Sequence, residues 1–208
     1  MVAKSSNNFS FKLVLLGDGR VGKTSLVVRY INNVFSEKQE ATIQASYLTK
    51  RLVIDGVPVT LSIWDTAGQE RFHALGPIYY RDADAALLVY DITSSEAFNR
   101  VTKWVKELQQ MAPPDIIMTI AANKSDLLRS KKINIQDAES YSTSIGARLF
   151  VTSAKTGVGI DEMFLDIAKR LIDRRKESAE GLLTAPPRKG IVIIDDEPEK
   201  EPPPKCCS

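Results

Sequence analysis

Apolar and polar positions along residues 11–173 alternate between strand-like and helix-like segments. Apolar runs such as "FKLVLL", "AALLVYDI", "IIMTIAANK" and "RLFVTSAK" are each followed by an amphipathic segment, which is typical of a parallel sheet covered by helices on both faces. Two other strand-like runs, "YLTKRLVI" and "VPVTLSIW", flank Asp55-Gly56, a dipeptide that favours a tight turn between antiparallel strands. We therefore predict an α/β domain with a six-stranded, mainly parallel sheet and one antiparallel strand.

The C-terminal segment differs in composition from this central region. Six of the ten prolines lie between residues 186 and 204, and the seven basic residues from 174 onward are balanced by seven acidic ones. Such a segment buries too little apolar surface to fold. We predict a disordered N-terminus at 1–10, one folded domain at 11–173 and a disordered tail at 174–208.

Overall composition narrows the classes of protein to consider. The 208 residues are 43% apolar and 26% charged with a net charge of +2, which suits one soluble domain and gives no case for a nucleic-acid partner. The chain has neither a long apolar run nor the apolar segment of a signal peptide, so we expect it to be made and kept in the cytosol. Cys206 and Cys207 are adjacent, and adjacent cysteines can neither close a useful loop nor complete a zinc site.

The segment "GDGRVGKT", residues 17–24, follows the first apolar run and precedes a helix-like segment. This order, with G-x-x-x-x-G-K-T, is typical of a phosphate-binding P-loop, in which glycines let backbone N–H groups face the anion. Lys23 is expected to bridge the β and γ phosphates, and Thr24 to bind Mg²⁺. The alternative is a glycine turn that only joins strand to helix, with Lys23 in solvent.

Two further segments, "NKSD" at 123–126 and "TSAK" at 152–155, each follow a strand-like run. The carboxylate of Asp126 can accept hydrogen bonds from N1–H and the exocyclic amine of guanine, whereas adenine presents an acceptor there. The later segment can offer a backbone N–H to the guanine oxygen. Each string alone is common in solvated turns, but their order after a P-loop predicts a guanine site.

The segment "WDTAGQE", residues 64–70, ends the second strand of the predicted hairpin. We expect Asp65 to lie near Mg²⁺, the Gly68 amide to reach the γ-phosphate and Gln69 to orient the attacking water. The alternative is an ordinary turn. His73 is the only histidine, and we interpret it as a contact residue rather than a base.

These four segments in this order resemble the Ras superfamily of small GTPases. "IWDTAGQERF", "YYRDA", "LVYDIT" and the terminal "CCS" are similar to Rab proteins, and "QASYLTKRL", "FHALGPIYYRDA" and "IIDDEP" are similar to the early-endosomal subgroup. Two positions depart from the pattern: many Rab proteins have glycine in place of Asp82 and a small residue in place of Arg20. The resemblance implies a P-loop G domain at 11–173 that acts as a GTP-hydrolysing switch in vesicle traffic.

The resemblance also implies roles for single residues. Phe35 is expected to pack on the guanine, Thr42 to contact Mg²⁺ and the γ-phosphate as the switch I threonine, and residues 68–81 to form switch II. The predicted nucleotide-binding residues are Gly17, Asp18, Gly19, Arg20, Val21, Gly22, Lys23, Thr24, Ser25, Phe35, Thr42, Gly68, Asn123, Lys124, Asp126, Ser153, Ala154 and Lys155. The predicted metal-binding residues are Thr24, Thr42 and Asp65, and the predicted catalytic residue is Gln69.

Partners follow from the same resemblance. Tyr47, Trp64 and Tyr79 are expected to form an aromatic patch for effectors that read switch I and switch II, although aromatic residues on strands and helices are more often part of a core. Hydrolysis is expected to be slow, because no inserted domain provides an arginine in cis and Arg71 and Arg81 are more simply surface or switch residues. The resemblance implies a monomer served by an exchange factor, a GTPase-activating protein, a GDP-dissociation inhibitor and a Rab escort protein.

The C-terminal cysteines find an explanation in the same family. Cys206 and Cys207 are followed by one serine, which does not fit C-a-a-X but is similar to the doubly geranylgeranylated end of Rab proteins. Stable anchoring takes two lipid chains or one chain with a polybasic patch, and the balanced tail charges exclude the second route. We expect two geranylgeranyl groups, attachment to the cytoplasmic face of early endosomes and a cytosolic pool of the GDP form. The apolar segment "GIVIID", 190–195, either docks on the escort protein or the folded domain, or is a chance cluster.

Two other functions compete with a GTPase switch. A metabolic P-loop enzyme such as a nucleotide kinase needs a second substrate pocket and an arginine-rich lid, and no such segment is visible in the sequence. A scaffold that binds GTP without hydrolysing it is expected where Gly19 or Gln69 is replaced, and both are present.

Overall fold

Six strands form one sheet within the residues that the structure describes, 8–68 and 76–184 of the computed structural model. They are β1 (Phe9–Leu16), β2 (Ser46–Ile54), β3 (Val57–Asp65), β4 (Ala85–Asp91), β5 (Ile117–Asn123) and β6 (Arg148–Val151). Their spatial order is β2-β3-β1-β4-β5-β6, and every neighbouring pair is parallel except β2 with β3. The predicted six-stranded, mainly parallel sheet with one antiparallel strand is confirmed.

The turn between β2 and β3 consists of the two predicted residues. Asp55 and Gly56 have φ values of 51° and 79°, and a two-residue hairpin turn with both central φ values positive favours this dipeptide. Ile54 pairs with Val57 directly across the turn. The turn thereby sets the antiparallel register of the hairpin.

Alternation along β1 separates two apolar cores, because successive side chains of a strand point to opposite faces. Leu13 and Leu15 belong to one core, and Val14 and Leu16 to the other. The helices are α1 (Lys23–Asn32), α2 (Gly76–Tyr80), α3 (Ala97–Met111), α4 (Ile135–Ser144) and α5 (Ile160–Thr184), with a short 3₁₀ helix at Ser125–Ser130. Side chains of α1 and α5 complete the first core, and side chains of α2, α3 and α4 complete the second.

The carboxyl end of β1 lies where the sheet order changes direction. β1 has β3 on one side and β4 on the other, and ligands of open α/β sheets bind outside the carboxyl ends of strands at such a point. β3 ends at Asp65 and β5 ends at Asn123. β3 runs parallel to β1, and β5 runs parallel to β4. The predicted motifs therefore meet at one edge of the sheet.

The N-terminal boundary of the folded domain differs from the prediction. β1 begins at Phe9 rather than after residue 10. Phe9 stacks on Phe11 with ring centres 5.8 Å apart, and this packing extends the strand beyond the apolar run. Residues 1–7 of the predicted disordered N-terminus lie outside the described residues.

The C-terminal boundary also differs, because α5 continues to Thr184. The prediction that the chain is disordered from residue 174 is therefore wrong for residues 174–184. Arg174 forms ion pairs of 3.2 Å with Asp84 and 3.3 Å with Asp115, so the first residue after the predicted boundary is fixed to the domain. The predicted tail at 185–208 lies outside the described residues. No helix within 8–68 and 76–184 is long and apolar enough to cross a membrane.

Candidate nucleotide-binding site

A cleft of about 620 Å³ lies at the carboxyl edge of the sheet. Volumes of roughly 300–1,000 Å³ are typical of pockets for small molecules. The predicted residues that line it are Gly19, Arg20, Gly22, Lys23, Thr24, Ser25, Phe35, Thr42, Gly68, Asn123, Lys124, Asp126, Ala154 and Lys155. Segments far apart in the sequence thus converge on one cavity. Four predicted nucleotide-binding residues do not line it, namely Gly17, Asp18, Val21 and Ser153, but they contact residues that do.

Glycines shape the floor of this cleft. Gly17 has a φ of 138°, and a Cβ at this position would lie 2.2 Å from the carbonyl oxygen of Val89. Gly22 has a φ of 99° and begins α1 without a side-chain cap. The first N–H groups of a helix have no partner within the helix, so the start of α1 presents donors and the positive end of its dipole to the cleft.

Lys23 lies at this same helix start and is only 5% exposed. Its Nζ donates to the carbonyl oxygens of Gly17 at 2.7 Å and Asp18 at 3.0 Å. Burial lowers the pKa of Lys23 to about 8, against the opposing effect of the Asp65 and Asp18 charges. The ammonium group is therefore pre-positioned by two carbonyl groups in a poorly solvated site, where an anionic ligand would stabilise its charge.

Three side-chain oxygens meet beside Lys23. Thr24 Oγ1 donates to Asp65 Oδ2 at 2.5 Å, and Thr24 Oγ1 lies 2.6 Å from Thr42 Oγ1. Because the single hydroxyl proton of Thr24 goes to Asp65, Thr42 is the donor of the second bond. Thr42 belongs to the long irregular segment before β2, and the structure brings it next to Thr24 of the P-loop. Its predicted contacts with Mg²⁺ and the γ-phosphate stay predictions.

Asp65 is fully buried, and its Oδ1 has no hydrogen-bond partner among the described residues. Burial raises the pKa of the Asp65 carboxyl, while the Thr24 hydroxyl and the Lys23 charge oppose that rise. A carboxylate with an unpaired oxygen beside two hydroxyls provides the hard oxygen ligands that Mg²⁺ prefers. These three residues therefore fit a Mg²⁺ ion that takes its remaining ligands from phosphate and water.

Asn123 joins the P-loop to the "TSAK" segment. Its side-chain Nδ2 donates to the carbonyl of Val21 at 2.8 Å, and its Oδ1 accepts from the N–H of Ala154 at 3.2 Å. Asn123 is 1% exposed, and a Cβ on Gly22 would lie 2.5 Å from its Nδ2. The side chain that the sequence assigned to nucleotide binding thus also braces the two walls of the cleft.

The carboxylate of Asp126 is oriented by Ser153. Ser153 Oγ donates to Asp126 Oδ1 at 2.6 Å and accepts from the N–H of Thr156 at 3.1 Å. Lys124, which has a φ of 66°, pairs with Asp91 at 2.6 Å. Both segments predicted to read the base are thereby fixed to the sheet, and Asp126 faces the cleft as an acceptor for paired N–H donors.

Comparison with known proteins identifies the family. The model of the Ras family matches residues 12–173. The chain belongs to the Ras family. Ras-related protein Rab-21 of Bos taurus is 53% identical over 194 residues, which cover 91% of this chain and 87% of that protein. Rab-21 of Homo sapiens is 54% identical over 88% of this chain and 84% of its own length, and Rab-21 of Dictyostelium discoideum is 52% identical over 78% and 77%.

These relatives confirm the resemblance to Rab proteins that the sequence motifs indicated. The chain is a small GTP-hydrolysing enzyme of the Rab type. The family membership supports binding of a guanine nucleotide and Mg²⁺, and the P-loop, the three side-chain oxygens and Asp126 are suited to hold them.

The segment before β2 closes one side of this Rab GTPase's cleft. Phe35 is partly buried against the first core, and Glu37 pairs with Lys155 across the cleft at 2.7 Å. The residues that line the cleft but were not predicted are Ser36, Glu37, Gln39, Glu40, Ala41 and Leu127. No motif marks these positions. Only their sequence positions, between Phe35 and Thr42 or next to Asp126, could have indicated that they line the cleft.

Gly68 contacts the P-loop directly. A Cβ at this position would lie 2.4 Å from the backbone carbonyl of Asp18 and 2.4 Å from Lys23 Nζ, so only glycine fits here without a shift. Gln69 and His73 lie outside the described residues, as do Arg71, Cys206, Cys207 and the segment 190–195. The roles predicted for them stay predictions.

The three aromatic residues predicted for effectors lie together. Trp64 packs with Tyr47 at 5.3 Å and with Tyr79 at 6.1 Å between ring centres. Tyr47 is 56% exposed, whereas Trp64 and Tyr79 also pack against the second core. The cluster is therefore partly core and partly surface, and its role in effector binding stays a prediction.

Proposed function

We propose that this Rab GTPase is a two-state switch that regulates early-endosomal membrane traffic and recruits effectors in its GTP form. The observation that carries this proposal is the hydrogen bond between Thr42 and Thr24. It joins the segment 35–42 to the P-loop at the residues that fit Mg²⁺. The position of this segment then depends on the contents of the cleft, which is the property a switch needs.

In this proposal, different groups stabilise the phosphates, neutralise the transition state and orient the attacking water during hydrolysis. Lys23 and the N–H groups at the start of α1 stabilise negative charge on the phosphates. Mg²⁺, when bound, neutralises further charge that develops in the transition state. Gln69 orients the attacking water in this proposal, and an activating protein supplies an arginine that raises the rate by about 10³–10⁵.

Two structural states follow from this chemistry. In the GTP form Thr42 and the backbone of Gly68 would hold the γ-phosphate and Mg²⁺, and effectors would read switch I, switch II and the patch of Tyr47, Trp64 and Tyr79. In the GDP form these contacts are lost. An exchange factor restores the GTP form.

Membrane attachment in this proposal is reversible. An escort protein presents Cys206 and Cys207 for geranylgeranylation, and two lipid chains anchor the monomer to the cytoplasmic face of early endosomes. A GDP-dissociation inhibitor keeps a cytosolic pool of the GDP form. The similarity to Rab-21 over most of the chain supports this cycle.

The proposal can be tested by following Thr42→Ala. Loss of the hydroxyl removes the group with which Thr42 would contact Mg²⁺ and the γ-phosphate, so we expect the variant to bind GDP normally, to lose GTP-dependent effector capture and to leave early-endosomal fractions. Thr143→Ala is a matched control, because Thr143 is an exposed threonine on α4 that bonds only to its own helix. Normal effector capture and fractionation of Thr42→Ala would overturn the switch that we propose.

A further inference from the structure

Asp18 occupies a position in the P-loop where its backbone contacts two functional groups. Its carbonyl oxygen accepts from Lys23 Nζ at 3.0 Å, and the backbone of Gly68 packs against the same carbonyl group. A rotation of the Asp18 peptide group would therefore move the lysine that binds phosphate and disturb the first residue of switch II.

The side chain of Asp18 is held from another element. Arg100 Nη1 on α3 contacts Asp18 Oδ2 at 2.6 Å, although the two residues are 82 positions apart in the chain. α3 is anchored to the second core by Ala97 and Val101, which precede and follow Arg100 along the helix. The guanidinium group of Arg100 is thus held by α3 and binds the carboxylate of Asp18.

Arg100 has a second, weaker partner. Its Nη2 lies 3.5 Å from Oε2 of Glu96, the residue immediately before α3. The Glu96 side chain is 74% exposed, whereas the Asp18 side chain is only 21% exposed. The short contact with the less exposed carboxylate is the stronger one, because it is less screened by water.

We propose that Arg100 is a positioning residue that acts through Asp18 to prolong the residence of the bound nucleotide. The pair keeps the Asp18 peptide group in the orientation that Lys23 requires. This role goes beyond the switch proposed above, since it concerns the rate of nucleotide release in either state.

The test measures release of a fluorescent GDP analogue from the full chain in the presence of Mg²⁺. Because the Arg100 side chain is 42% exposed, solvent screening limits the effect, and we expect Arg100→Gln to release the analogue about two- to five-fold faster. The association rate constant should not change. Arg100→Lys should restore part of the residence time, and high salt should reduce the difference between Arg100→Gln and the parent protein.

Matched variants separate positioning from a general effect on the fold. Lys103→Ala removes an exposed charge from the same helix, and Glu96→Gln neutralises the weaker partner of Arg100, so both should release the analogue at the parent rate. In an Asp18→Asn background, Arg100→Gln should add little, because the coupling between the two residues is already lost.

Three results would overturn the inference. They are equal release rates for Arg100→Gln and the parent protein, equal acceleration by Lys103→Ala, and an undiminished effect of Arg100→Gln in the Asp18→Asn background. If Arg100→Gln does not fold, the comparison of Asp18→Asn with Glu96→Gln decides alone: faster release only for Asp18→Asn supports the inference, and equal rates for the two refute it.

Discussion

Replacing Asn123 by alanine is expected to destabilise the domain even without nucleotide. The side chain donates to the carbonyl of Val21 and accepts from the N–H of Ala154. Both bonds lie in a site where Asn123 itself is 1% exposed. The substitution leaves one carbonyl and one N–H group without these partners, and it separates the P-loop from the segment that follows β6.

The magnitude follows from the two groups that lose a partner. Each buried group left unsatisfied costs about 1–3 kcal/mol, so the sum is about 2–6 kcal/mol before relaxation. Water from the adjacent cleft can replace part of each bond, and we therefore expect a loss of about 2–4 kcal/mol. Such a loss is a large fraction of the roughly 5–15 kcal/mol that stabilises a typical domain.

Urea unfolding of the nucleotide-free protein, followed by circular dichroism, measures this loss directly. Asn99→Ala is the control, because Asn99 is an exposed asparagine on α3. If Asn123 only contacted guanine, the free energy of unfolding without nucleotide would not change. A difference below about 0.5 kcal/mol between Asn123→Ala and the parent protein, the range of ordinary surface substitutions, would refute the bracing role.

Three further predictions concern the base, the reaction and the anchor. Asp126→Asn should weaken guanine binding and improve xanthine binding, because the donor and acceptor pattern is reversed, and an unchanged preference in a competition assay would reject the assignment. Gln69→Leu should retain nucleotide but slow single-turnover GTP hydrolysis, and equal rates would remove Gln69 from the mechanism. Replacing both Cys206 and Cys207 by serine should leave GTP affinity intact and release the protein to the cytosol. Continued membrane pelleting of that variant would show another anchor.

Features that depend on local chemistry could be predicted from the sequence. Asp55-Gly56 predicts a hairpin turn because few residues adopt two successive positive φ values. Gly17 and Gly22 indicate a phosphate-binding turn because such a turn needs residues without a Cβ. In the structure, each would collide with a neighbouring carbonyl or amide if it carried one. In these cases the residue type and the backbone conformation constrain each other directly.

Features that depend on distant contacts could not be predicted in the same way. The polar composition after residue 173 indicated a disordered tail, but Arg174 reaches Asp84 and Asp115 from other parts of the chain, and α5 continues. The bracing role of Asn123 likewise requires the relative positions of β1 and β5. No pattern within either segment contains that information, because the contact exists only after the sheet has formed.

In the proposed switch, the contents of the cleft control the segment 35–42. Holding a residue in one backbone conformation costs about 1–2 kcal/mol, and the segment contains no helix or strand to offset that cost. The pair between Glu37 and Lys155 is exposed on both sides and contributes little. The bond between Thr42 and Thr24 contributes about 0.5–1.5 kcal/mol. These two contacts offset only a small part of that cost, and we therefore expect a ligand that engages Thr42 to order the segment.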